Sequence, residues 1–359
     1  MWGDVMRLNK FKTALQFIAM VLCMWIYFSS TQTVINAVKE GLTLCFEVVI
    51  PSLYVFIVLS NILSGLNCTS LLAVPFMPFF RLLKINSRRA AGCCILGILG
   101  GFATGGIMLD KIKKEYSCDE NTMGILSILM SGNSPSFVIL AVGKYYLGNT
   151  TLGIMLYFSS LLSAFITAFF MSFIFNCSIN STSKKQLVYT NNVVLAIKSS
   201  VTAITNICGV VVLVFTVCKV LKLYTNNLFI SLVFSSFSEV TTACDFISAN
   251  FDSNIYLLSL TLSVFPLSAY FQMKSVGDNN TLNFKILFLS KTIQLPLTVL
   301  ILRTLLNMFP LAVSVYSGSD ISVNTFWNAP HISCWLFIIS VCFVIFFDRK
   351  LEVFTIKDK

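Results

Sequence analysis

Residues 90–110 read AAGCCILGILGGFATGGIMLD, and the reading of this stretch, Ala90–Asp110, decides how the rest of the chain is understood. It is apolar enough to enter a bilayer, yet Gly97, Gly100, Gly101, Ala103, Thr104, Gly105 and Gly106 crowd its second half. Glycine in a helix interior costs about 1 kcal/mol relative to alanine. Unwound backbone is tolerated at membrane depth only where protein or a wet cavity covers it. Two readings follow. The segment is a broken helix lining a site near the midplane, as in secondary transporters, or its small residues let helices pack closely.

Composition sets the class. Apolar residues make up 56% of the 359 positions and charged residues 11%, and the mean hydropathy is +0.84. Soluble domains carry about 25% charged residues. An all-α polytopic membrane protein is expected, with roughly eight to ten segments of about 20 residues. The net charge of +10 does not point to nucleic acid, because the basic residues flank apolar segments in short clusters. Arg81, Lys84, Arg88 and Arg89 form one, Lys111, Lys113 and Lys114 another, and Arg349 and Lys350 a third. That is the positive-inside pattern, and it predicts cytoplasmic termini. Most of the twelve cysteines, such as Cys23, Cys45, Cys208, Cys218 and Cys342, sit in apolar runs as small hydrophobes. Cys93–Cys94 is not a C-x-x-C motif and the lone His331 has no partner motif, so no cofactor or metal is expected.

In chain order, Ala14–Phe28 reads as a retained helix and Thr33–Leu42 as an amphipathic interfacial one. Thr43–Leu63 carries Glu47 and Pro51, and Leu71–Phe80, with Pro75 and Pro78, is too short to span. Thr122–Gly143 is split by Ser131-Gly132-Asn133-Ser134-Pro135-Ser136 into two arms too short to cross alone, which predicts a re-entrant hairpin with a polar tip. Thr150–Phe175 is a clean span, and the polar Asn176–Asn192 loop divides the chain into halves that look alike. Leu228–Phe246 contains Glu239, Thr241, Thr242 and Asp245, and Ile255–Met273 is interrupted by Pro266, Ser268, Tyr270 and Gln272. Leu282–Met308 holds Lys291, which either snorkels to the surface or answers an acid or an anionic ligand. Trp335–Phe347 closes the membrane part and Asp348–Lys359 is a charged tail. Internal repeats with interrupted segments in matching positions are the sequence pointer to a transport-type site.

These motifs, taken in order, resemble the sporulation integral membrane protein family of the YlbJ type. That family is built from two nucleoside-recognition "Gate" domains, distant kin of concentrative nucleoside transporters and spore maturation proteins. The resemblance rests on Glu47-Val48-Val49-Ile50-Pro51-Ser52-Leu53, on Gly101-Phe102-Ala103-Thr104-Gly105-Gly106 with its basic follow-on, and on Asn133-Ser134-Pro135-Ser136-Phe137. Two further motifs are Ser238-Glu239-Val240-Thr241-Thr242-Ala243-Cys244 and Ser268-Ala269-Tyr270-Phe271-Gln272. The chain departs from the family at Ala103, Ile107, Ala243 and Tyr270, where the family has Pro, Lys, Gly and His, and Lys291 stands where an arginine is expected.

The resemblance implies an N-terminal transmembrane helix over 1–32, a first Gate-like repeat over 33–176, a polar linker over 177–192, a second repeat over 193–310, and a C-terminal helix and tail over 311–359. It implies two pseudo-repeats with re-entrant hairpins and broken transmembrane helices. The expected function is transport of a small organic anion, dipicolinic acid, in a forespore or cell membrane, with a nucleoside transporter or an envelope-assembly scaffold as alternatives. The implied substrate site comprises Gly101, Thr104, Gly105, Asn133, Ser134, Ser136, Glu239, Thr241, Thr242, Ser268, Gln272 and Lys291. Helix N-termini at the breaks would suit carboxylates, with Lys291 as countercharge. The expected partners are the solute, the bilayer and a coupling ion, and homo-oligomerisation stays open. An enzyme is not expected, since the chain has no Ser–His or Cys–His constellation, no H-E-x-x-H and no phosphate loop.

Overall fold

The computed structural model describes residues 17–18, 20–21, 24–25, 27–65, 69–116, 118–175, 177, 179, 193–223, 227–276 and 282–309. Most of the polar linker, His331, Trp335–Phe347 and the tail lie outside the described residues. Every regular element among them is helical, apart from a one-pair bridge between Ile85 and Ile179. α1 (Thr31–Leu44) passes through a π-wound turn, Cys45–Val49, into α2 (Ile50–Gly65). After the short α3 (Thr69–Ala73) and α4 (Met77–Leu82) come α5 (Arg88–Tyr116), α6 (Glu120–Met130), the π-wound α7 (Phe137–Tyr146) and α8 (Thr150–Ile174). The second half holds α9 (Val193–Lys222), α10 (Leu228–Ser238), α11 (Val240–Asn250), α12 (Ile255–Ser263), α13 (Leu267–Val276) and α14 (Phe284–Met308). Short polar side chains start several of them. Asn149, Asn227, Asn254 and Asn283 each accept hydrogen bonds from first-turn amides, as does Asp119 for α6.

Among the described residues five helices are long and apolar enough to cross a bilayer, or six if the bent pair Leu53–Ser64 and Thr69–Leu82 counts as one. α5 is long enough to span but does not run straight. At Gly101 the backbone takes φ 74° and ψ −164°, a region essentially open only to glycine. Beyond that point the chain folds back on itself. A Cβ on Gly97 would sit 3.3 Å from the Cα of Gly105, and Ser87 Oγ lies 2.6 Å from the Tyr116 hydroxyl. Arg89 pairs with Glu115 at 3.1 Å. In a straight helix of this length those ends would be about 40 Å apart. Ala90–Asp110 is therefore broken, and its small residues also serve close packing, as the hairpin seam. A Cβ on Gly105 would meet the Met130 carbonyl of α6.

The split stretch 122–143, expected to be the hairpin, is instead a broken span. A tight turn joins the end of α7 to the start of α8, with the Asn149 amide donating to the Gly143 carbonyl at 2.8 Å. At the far end Cys177, just past α8, hydrogen-bonds Thr122 at the start of α6. α6 and α7 thus follow one another along the length of α8. The polar insert Ser131–Ser136 interrupts the span without reversing it, with Asn133 tied to Leu262 of α12 and Ser134 capping the start of α7.

The second half repeats the order. α10 and α11 pack on each other across the single extended residue Glu239 (φ −158°, ψ 130°). The Lys222 ammonium at the end of α9 stands 4.7 Å from the Phe246 ring, so α11 returns to the end from which α10 starts. Leu228–Phe246 is thus part of a hairpin. Ile255–Met273 is a broken span along α14, with Ser263 Oγ bonded to Thr298 at 3.0 Å and the Tyr270 ring 4.6 Å from Phe284. α1 and α2 run antiparallel to α9, through Glu40–Lys219 at 2.7 Å and Asn61–Ser200 at 3.0 Å. Thr33–Leu42 is accordingly not a separate interfacial helix: its small face, Ala37 and Gly41, is buried, with Gly41 set against Val212 and Phe215 of α9.

The two halves point opposite ways. The first hairpin opens at the end that carries Arg88, Arg89, Lys113 and Lys114, where α6 and α14 also begin. The second opens at the other end, beside Tyr146 of α7, whose hydroxyl bonds Asp245. A charge swap tests the first fold-back. Arg89→Glu and Glu115→Arg are each expected to cost about 1–2 kcal/mol, and the double variant to recover most of it in thermal unfolding. No recovery would mean that the ends of α5 are not neighbours.

Candidate functional site

Four breaks meet at the centre of the bundle: Gly101, the 131–134 insert, Glu239 and the 264–266 turn. The first three, with the start of α13 after the fourth, line a cavity of about 80 Å³ that has Gly101, Asn133, Ser134, Glu239, Thr241, Ser268 and Gln272 among its polar or backbone contributors. Each break ends one half-helix and begins another, so carbonyl ends and amide ends face the same space. The Asn133 amide donates to the Leu262 carbonyl at 2.8 Å, tying the first broken span to the second. Ser134 accepts from the Phe137 amide at 3.4 Å and caps the second arm of that span. A Cβ on Gly101 would come within 3.0 Å of the Ser134 amide nitrogen, so the hairpin tip touches the insert directly.

Glu239 is 4% exposed and caps α11. Its Oε2 accepts from the Thr242 amide at 2.6 Å and from the Thr242 hydroxyl at 3.0 Å. Gln272, Ser268 and Thr241 face the cavity with no side-chain hydrogen bond to another described residue. They are the groups left to meet a guest.

Five of the sequence-predicted residues do not line this cavity. Gly105 packs on the Met130 carbonyl and Thr242 serves the Glu239 cap. Ser136 lies 3.1 Å from Ser134 Oγ, in a supporting position. The Thr104 hydroxyl is buried beside Gly100, without a partner among the described residues. Lys291 stands on the far side of Asn133 and donates to Gln294 at 2.8 Å, so it neither snorkels nor enters the cavity. Glu239 is the one ionisable side chain among the described lining residues. Sequence reasoning missed the apolar wall: Val49 and Leu53 stood inside a quoted motif, whereas Ile207 and Val211 of α9 gave no local signal. Phe102 and Phe265, 6.1 Å apart, close the gap between the first tip and the second break.

Fold and site define an all-α polytopic integral membrane protein whose polar centre is built from helix breaks. The chain is 28% identical over 155 residues to the sporulation integral membrane protein YlbJ of Bacillus subtilis (strain 168). The match covers 42% of this chain and 37% of that protein, so the chain aligns with little more than a third of the relative's length. No family model matches the chain, and no solved structure does.

Proposed function

We propose that this protein is a carrier that moves a small polar organic solute across a sporulation-associated membrane. The observation that carries the reading is the convergence of helix breaks, from two oppositely directed halves, on one cavity whose mostly apolar wall carries polar groups at the breaks. Discontinuous helices of this kind are how secondary transporters expose backbone dipoles to a solute at the midplane. On the positive-inside rule the basic end of the bundle is the cytoplasmic one. An engineered apolar cavity of about 150 Å³ holds benzene. At about 80 Å³ this cavity is about half that size, and a ring-sized solute enters when the tips part.

The lining refines the solute. Dipicolinate, a planar dianion, finds helix N-termini here but no cationic side chain among the described lining residues, and it meets the Glu239 carboxylate. A neutral solute with hydroxyl donors toward Glu239 and acceptors toward Gln272 and the helix N-termini fits better. A nucleoside is of that class. Uptake into liposomes holding the purified protein, with labelled uridine and labelled dipicolinate side by side, tests both. Saturable uridine flux that Asn133→Ala removes is the expected result. Dipicolinate flux with the same sensitivity would keep the carrier and change the solute. Flux of neither, from folded protein, would turn the reading to an envelope-assembly scaffold.

A further inference from the structure

Behind Asn133, away from the solute cavity, lies a second and smaller void of about 20 Å³. Its polar lining is Ser131, Asn133, Tyr157, Ser160, Lys291 and Gln294. Two of these side chains are more than nine-tenths buried and short of partners. Lys291, 7% exposed, makes one hydrogen bond, to Gln294 Oε1, although an ammonium carries three donors. The Tyr157 hydroxyl, in a residue 8% exposed, has no hydrogen-bond partner among the described residues. No acid lines the void. A buried cation without a countercharge costs several kcal/mol, and an orphaned buried hydroxyl adds about 1–3 kcal/mol. Both penalties vanish if one guest accepts from both donors.

The guest's chemistry is narrow. A void of this size holds a single water-sized occupant. The guest accepts from Lys291, which can only donate, and the Tyr157 hydroxyl, which can donate or accept, is free to donate to it as well; a metal cation is repelled by Lys291. We propose that the pocket between Lys291 and Tyr157 binds one small monovalent anion of chloride type. The ion takes hydrogen bonds from Lys291 Nζ and the Tyr157 hydroxyl and neutralises the buried charge. Because Asn133 lines both this void and the solute cavity, ion occupancy fixes the insert from which the solute site is built. The site stands on its own geometry and does not depend on the carrier reading.

Binding is read without transport. The purified protein in detergent is melted at constant ionic strength while chloride replaces gluconate. The expected result is a saturable rise of about 2–4 °C, reproduced by bromide and not by the larger sulfate. Lys291→Met is expected to remove the rise, and Tyr157→Phe to keep it with a half-saturating concentration about tenfold higher. Should Lys291→Met fail to fold, the Tyr157→Phe titration decides alone. A flat wild-type response, an equal rise in Lys291→Met, or an unchanged half-point in Tyr157→Phe would overturn the site.

Discussion

Gly101→Val is expected to abolish transport and to destabilise the protein by about 3 kcal/mol or more. Two costs add. Backbone in the glycine-only region costs a side-chain-bearing residue roughly 1–3 kcal/mol, and a β-branched residue stands at the upper end. The new side chain also drives into Ser134, whose amide nitrogen is 3.0 Å from where the Cβ would be. The tip must then withdraw from the insert, which opens the cavity wall and unseats the Gly97–Gly105 seam. Gly101→Ala is the graded control, with the same backbone penalty and a smaller clash. Thermal unfolding in detergent and uptake in liposomes read the two consequences separately. Wild-type stability in Gly101→Val would show that the chain does not fold back there.

The second large effect is expected at Glu239, where structural and functional roles can be separated. Glu239→Ala removes the α11 cap, at a cost of about 0.5–2 kcal/mol, and leaves the buried Thr242 amide and hydroxyl without their acceptor. Flux should be lost and the melting temperature lowered. Glu239→Gln keeps an acceptor oxygen for Thr242 and removes the charge. Its stability should stay within about 1 kcal/mol of wild type. Its flux should nevertheless fall about 10- to 100-fold, the value of a hydrogen bond to a charged group. A Glu239→Gln protein that transports at the wild-type rate would reduce Glu239 to a cap.

The sequence made the kinds of element legible and exchanged two of their positions. Gly101 was readable as a break because six small residues surround it, but nothing in those residues says whether a chain bends or reverses. The reversal depends on contacts between positions far apart in sequence: Arg89 with Glu115, and Gly97 with Gly105. The polar insert Ser131–Ser136 looked like a hairpin tip because its arms are short. Its direction is set by Thr122 meeting Cys177, more than fifty residues away. Seven of the twelve expected site residues reach the cavity, since each sits on or next to a break. Lys291 faces the smaller void behind Asn133 rather than the solute cavity, and there it donates to Gln294, one turn along the same helix.

The reversal at Gly101 also bears on how this protein's sidedness is mapped. A hydropathy plot counts Arg88–Tyr116 as one crossing, whereas a folded-back segment contributes an even number, which is none. Parity therefore flips for whatever comes next. A plot that treats Thr122–Gly143 as a loop that dips in and out makes the opposite error and restores the count before α8. The two mistakes cancel everywhere except at the turn between α5 and α6, around Cys118 and Asp119. Sidedness measured there, and at no later point in this half, distinguishes the two architectures.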